Sequence, residues 1–349
     1  MKKKKGISNR RLLIMSGILG LLLLVTALCG LVFFYISTKS TMGSIGAKAY
    51  NTYKNYYVII TGNSDTDYWK SIYKGAQEEA QASNSYVELM GEDLDKSLTK
   101  NDLIRIAINS GVNGILIEGD DNLSTQKLLL EAEKQGIPVV TVSDDITNSP
   151  RKSFIGVGSY DMGKEYGNQV VEFAKNSDKD KVDVLVLIDD TLTGNSQSVI
   201  TTAITETVIN NGLVNKVNIV SKVVNSTKDY AAEEEIRDIF VGQDDLPDVI
   251  ICLSEKNTIC VYQTVVDYNK VGEVEILGYY MSPTIRAAIE KNIIHSTIVV
   301  DTQQMGRYSV EALNDYLESG YVNSLYLIDT RLVDSENITS VINGGDADD

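Results

Sequence analysis

The chain has 349 residues, 43% hydrophobic and 23% charged, which is enough for two lobes of ordinary size and too apolar for a largely disordered protein. A formal net charge of −16 excludes the basic face that a nucleic-acid-binding domain needs, so no nucleic-acid partner is expected. Three cysteines and one histidine exclude a disulfide framework and a zinc site of the usual Cys/His kind.

The N-terminal end is basic. Lys2, Lys3, Lys4, Lys5, Arg10 and Arg11 precede residue 12, and no acid appears before Asp65. From residue 12 onward acidic side chains outnumber basic ones heavily. Residues 12–36 (LLIMSGILGLLLLVTALCGLVFFYI) carry no charge, and about 20 apolar residues span a bilayer. The run predicts one transmembrane helix, with residues 1–11 as a cytoplasmic basic end and the rest of the chain outside the cytoplasm at the cell membrane. A cleaved signal peptide is the rival reading. Its apolar region is usually about 7–15 residues, shorter than this run, and Leu28 before Cys29 does not suit a lipoprotein cleavage site. Residues 37–55, small and polar, read as a stalk. Residues 343–349 read as an acidic, solvated tail.

After Tyr56, β-rich runs alternate with amphipathic stretches. The predicted strands are Tyr57–Thr61, Tyr86–Met90, Gly114–Glu118, Val139–Val142, Val182–Ile188, Val217–Val224, Val249–Leu253, Val274–Gly278 and Ser296–Val300. The predicted helices are Trp69–Ser83, Asp102–Asn109, Ser124–Gln135, Asp161–Asn176, Gln197–Asn211, Tyr230–Phe240, Asn257–Tyr268, Pro283–Lys291 and Gly306–Ser319. YVIIT, GILI, VDVLVLI and VIICL lack polar alternation, as strands do when a parallel sheet is covered on both faces. Strand–helix repetition implies right-handed βαβ units, and Gly136-Ile137-Pro138 and Gly212 punctuate helix ends. Cys252 and Cys260 lie in apolar surroundings and read as buried thiols.

The predicted fold class is α/β, with two doubly wound parallel-sheet lobes preceded by one transmembrane helix. In open α/β sheets a ligand sits at the carboxyl ends of the strands. The loops that follow strands here include GNSDTDYW, DDNLS, SDDITNS, DDTLTGNS, SEKN, YYMSP and DTQQ. Brought together they line a polar cleft with hydrogen-bond acceptors and aromatic faces, which suits a neutral polyhydroxylated ligand. Each Asp or Ser taken alone reads as a helix cap. No Gly-x-Ser-x-Gly, phosphate-loop Gly-Lys-Ser or Cys/His pairing is present, so neither an enzyme nor a cofactor is predicted. His295 opens a strand and reads as structural. Asp120-Asp121, Asp144-Asp145 and Asp189-Asp190 lack calcium-loop spacing and read as loop acceptors and caps.

Five segments, YWKSIYKGAQEEA, GVNGILIEGDD, AEKQGIPVVTVSDD, FIGVGSYDMGKEYG and STIVVDTQQMGRYSVEAL, stand in the right order to resemble the type I periplasmic-binding proteins of the ribose-binding kind, whose fold sugar-responsive repressors share. The likeness covers roughly residues 56–342. It implies two lobes joined by a three-strand hinge, 56–157 plus 301–326 and 158–300 plus 327–342, which close on a sugar. Carried over residue by residue, it implies ligand contacts at Asp67, Tyr68 and Trp69, at Asp144 and Asp145, at Ser159, at Asn195 and Ser198, at Ser254 and Glu255, at Tyr280, and at Asp301. The chain departs from the ribose pattern in places. Gly158-Ser159 replaces an Asp-Asn, Asn195-Ser196-Gln197-Ser198 lacks an arginine, and Tyr280 replaces an Asp. Three alternatives follow: a different ligand, weak binding, or a cleft turned into an interface. The resemblance implies either a tethered receptor that passes a sugar-like solute to an ABC permease, or a sensing subunit that regulates a membrane histidine kinase.

Overall fold

The apolar runs become buried strands. The computed structural model describes residues 53–91, 98–120, 122–189, 195–225, 230–241 and 246–345. The basic end, the apolar run 12–36 and nearly all of the stalk lie outside them. Among the described residues no helix is long and apolar enough to cross a membrane.

The first lobe begins with β1 (Asn55–Ile60), α1 (Asp67–Ala82), β2 (Ser85–Met90), α2 (Lys100–Ser110), β3 (Gly114–Glu118), α3 (Leu123–Lys134), β4 (Val139–Ser143) and β5 (Ser153–Val157). The chain then enters the second lobe with α4 (Ser159–Asn176), β6 (Val182–Asp189), α5 (Asn195–Asn210), β7 (Val217–Val224), α6 (Ala231–Phe240), β8 (Val249–Cys252), α7 (Glu255–Asp267), β9 (Glu275–Tyr279), α8 (Pro283–Glu290) and β10 (Ser296–Val300). It returns with α9 (Thr302–Ser319) and β11 (Leu325–Ile328), and crosses again into β12 (Thr330–Asp334) and α10 (Ile338–Gly345).

The first sheet runs β11-β5-β4-β3-β1-β2, and the second runs β12-β10-β9-β8-β6-β7. All pairings are parallel except β10 with β12. The antiparallel β12 sits at the sheet edge, where such a strand is common. Both lobes therefore share one order, in which the second strand lies outside the first and the third, fourth and fifth follow on its other side. The strand order reverses between β1 and β3 and between β6 and β8, and the carboxyl ends there open the crevice in which α/β sheets bind ligands. Every residue of β3 and β8 is buried, as their unbroken apolar sequence requires.

The chain crosses between lobes at Gly158, Asp301 and Asp329. The expected third crossing after Tyr326 falls inside β11, which pairs with β5 from Leu325 opposite Phe154 to Ile328 opposite Val157. One buried apolar cluster continues from Tyr57 and Ile59 in the first lobe, through Tyr68 and Tyr279, to Val186 and Ile251 in the second. The far face of each sheet has a cluster of its own.

Candidate functional site

The carboxyl ends of the two sheets face one gap. After β1, Thr66 caps α1 by accepting a hydrogen bond from the Trp69 amide (3.3 Å), so the helix begins at once and its first turn carries Tyr68 and Trp69 into the gap. After β8, Ser254 caps α7 by accepting from the Asn257 amide (3.2 Å) and sets Glu255 in the first turn. Glu118 and Asp189 are the last residues of β3 and β6. Asp144 follows β4, behind Ser143, whose φ of 69° lies in the left-handed region. Tyr280 follows the equivalent strand β9 with a φ of 67°. Left-handed backbone is uncommon outside glycine and collects at functional sites.

Side chains of the two lobes touch across this gap. The Tyr68 amide donates to Glu255 Oε2 (2.9 Å). The Tyr279 hydroxyl donates to the Tyr68 hydroxyl (3.4 Å), which is itself hydrogen-bonded to Ser143 Oγ (2.9 Å). Tyr280 stands edge-on to Tyr68 with ring centroids 5.4 Å apart, and its hydroxyl donates to the Asp67 carbonyl (3.4 Å). Ser196 Oγ donates to Asp144 Oδ1. The cavity left between these contacts measures about 70 Å³. Small-molecule sites usually need about 300 Å³ or more, so the lobes must part to admit a hexose-sized solute.

The cavity is rich in acid. Glu118, Asp144, Asp189 and Glu255 line it, two from each lobe, against a single lysine, Lys256. Burial pushes the Asp144 carboxyl up to about 7, and the neighbouring Glu118 and Asp189 charges add to the rise. Burial also raises Glu255, against the opposing hydrogen bond from Tyr68. The phenols of Tyr68 and Tyr279 are raised by the same loss of solvent. Among the described residues no set of three His, Cys, Asp or Glu side chains could hold a metal ion.

Residues 56–320 match the periplasmic binding protein domain. The chain belongs to that family. Its fold is also that of GanP, a glucose–galactose binding protein from Geobacillus stearothermophilus (TM-score 0.71, 20% identity, 81% of this chain and 98% of that one). It is equally that of the XylFII–LytSN complex (0.69, 22%, 82% and 99%). A Caulobacter myo-inositol binding protein bound to myo-inositol shares it too (0.70, 17%, 83% and 97%). No curated protein matches the sequence.

Against the ligand contacts expected of a periplasmic binding protein, the placement is mixed. Tyr68, Trp69, Asp144, Ser159, Ser254 and Glu255 line the cavity. Asp67 and Tyr280 do not line it, and they meet each other across the gap through the carbonyl–hydroxyl contact. Asn195 opens α5, and its side chain lies outside the described residues. Three further expected residues do not line the cavity. Asp145 turns to Arg151 (Nη2 to Oδ2, 2.7 Å) and Thr141 (2.8 Å), because its role is to pin the turn after β4. Ser198 is exposed on the outer side of α5, while Ser196 and Gln197 face the cavity. Asp301 is exposed and caps α9 through the Gln304 amide (2.7 Å). Glu118, Asp189 and Tyr279 line the cavity although sequence reasoning did not select them. Each ends an apolar strand run, and the end of such a run was the available signal. His295 pairs with Glu275 (Nδ1 to Oε1, 2.7 Å) at the amino ends of the second sheet, away from this gap.

Proposed function

We propose that the protein is an extracytoplasmic solute-binding protein, held at the cell membrane by residues 12–36, that takes a small sugar-like molecule between its lobes. The observation that carries this reading is the single cavity formed by the carboxyl ends of both sheets, with three chain crossings beside it to serve as a hinge. Binding energy enters as differential contact, since only a ligand that touches both lobes favours their closed arrangement over the parted one. Trp69 and Tyr68 supply aromatic faces for ring C–H groups, and the carboxylates and hydroxyls supply acceptors.

Of the two roles open to such a receptor, sensing has a specific observation in its favour. The lobes already meet through direct side-chain contacts, so ligand entry rearranges a formed interface, a two-state element that a partner can read. XylFII, which shares this fold, forms a complex with LytSN. That likeness supports a protein partner, which in the sensing role is the outer domain of a membrane histidine kinase, and delivery to an ABC permease is the second role. X-ray scattering during titration with a panel of sugars and inositols tests the binding reading. Saturation with a bound solute is expected to change the radius of gyration as this interface rearranges, and a constant radius at saturation overturns the hinge.

A further inference from the structure

Three of the four carboxylates that line the cavity, Glu118, Asp144 and Glu255, make no ion pair among the described residues. Glu118 accepts from neutral donors alone, Thr61 Oγ1 (2.7 Å), the Gly62 amide (3.0 Å) and Asn63 Nδ2 (3.5 Å). Glu255 accepts the Tyr68 amide. Asp144 is only 6% exposed and lines the cavity. Its carboxylate, able to accept about four hydrogen bonds, receives one among the described residues, from Ser196. The nearby cation Lys100 is committed elsewhere, to Asp120 (2.5 Å) and the Glu118 carbonyl (3.0 Å). A buried, under-bonded carboxylate is costly unless something pairs with it. Asp144 faces the cavity, so a solute there can supply a further partner.

Closing the lobes also brings Glu118 and Asp144 of one toward Asp189 and Glu255 of the other, and like charges in a low-dielectric gap repel. A neutral polyol leaves that repulsion in place. A metal ion would relieve it, but the acids do not converge into a ligating set among the described residues. An organic ammonium group needs no such convergence. It donates three hydrogen bonds, and the faces of Tyr68, Trp69 and Tyr279 at the same cavity attract cations.

We propose that the solute carries a protonated amine, as an amino sugar does, and that its ammonium group lies between the carboxylates of Glu118 and Asp144 and those of the opposite lobe. This rests on the reading of the gap as the solute site. It replaces the neutral ligand expected from the loops with a cationic one.

Calorimetry on the full chain with D-glucosamine, D-galactosamine, D-glucose and D-galactose tests it. The amino sugars are expected to bind at least tenfold more tightly than their neutral counterparts at pH 7.5, with an advantage that shrinks as salt is raised. Lowering the pH to 6 protonates Asp144, so amino-sugar affinity should fall even though the amine becomes more fully charged. Asp144→Asn and Glu118→Gln, checked for cooperative unfolding, should each reduce the amino-to-neutral ratio. Neutral sugars binding as tightly as the amino sugars would overturn the inference and leave the solute-binding reading standing. Silence from all four, with no change in scattering, would overturn both.

Discussion

Asp144 shows at the scale of one residue what the site costs the fold. Its carboxyl titrates near 7 in the folded chain against an ordinary value of 3.8. Between those values the folded chain keeps a proton that the unfolded chain has released. Stability therefore falls as the pH rises through that window and stays reduced above 7. Asparagine keeps the shape and cannot ionise. Asp144→Asn is expected to stabilise the protein, with a gain about 2–3 kcal/mol larger at pH 8 than at pH 5, read from urea unfolding at the two pH values. Equal gains at both would show that the group is not held neutral by burial. Trp69 carries a complementary lesson. It lines the cavity yet is only 2% exposed and belongs to the buried cluster shared by the lobes. Replacing it removes core packing worth several kcal/mol, roughly 3–5 for a buried Trp→Ala, so lost binding in that variant would not by itself assign the indole to the ligand.

At the scale of elements, the position of Tyr68 and Trp69 depends on how closely α1 approaches α9. A Cβ on Gly306 would lie 2.0 Å from the Ile72 carbonyl oxygen, and one on Gly75 would lie 2.0 Å from that of Gln303. The helices thus meet backbone to backbone, and no rotamer change can make room. Gly306→Ala is expected to destabilise by at least about 1–3 kcal/mol through overpacking and to weaken ligand binding, because α1 must shift. Thermal unfolding with an unchanged midpoint would show that the pair tolerates a wider spacing. The same scale explains what could be read in advance. β1, β3 and β8 were legible because their runs are apolar and almost wholly buried, and β6 because only Asp183 interrupts its run. β11 was not, since its Leu325 and Leu327 are half exposed and its place comes from pairing with β5, far away in sequence. That pairing also moves the third crossing to Asp329. The resemblance implied a contact at Ser198, which lies on the exposed side of α5, while Ser196 and Gln197 line the cavity. Two residues amount to about 200° of helical rotation, enough to exchange the cavity face for the solvent face. Glu118 was passed over because it closes a run that reads as core, and Asp189 was read as a loop acceptor or cap.

On the scale of the whole molecule, two lobes of one strand order oppose each other through an interface with two components. Aromatic contacts and hydrogen bonds, two of them accepted by Glu255 and Asp144, draw the lobes together, and like charge among the acids opposes them. The balance decides how far the pair stays closed, and a ligand acts by changing it. Tyr280 is the contact best suited to testing the attractive side. Its backbone is anchored within its own lobe, the amide donating to the Ile298 carbonyl (2.8 Å) and the carbonyl accepting from Thr297 Oγ1 (2.7 Å). Its ring and hydroxyl reach Tyr68 and the Asp67 carbonyl in the other lobe. Truncation therefore removes cross-lobe contact while leaving the strand end in place. An edge-on aromatic pair is worth about 0.5–1.5 kcal/mol beyond its buried area, which corresponds to a shift of about two- to tenfold in the closed population. Tyr280→Ala should raise the radius of gyration of the protein in solution and weaken ligand affinity by a similar factor, with little change in the unfolding of either lobe. If scattering and affinity both stay at the parent values, Tyr280 contributes nothing to closure, and the attraction must reside in the other cross-lobe contacts, those of Tyr68 with Glu255 and Tyr279 and of Ser196 with Asp144.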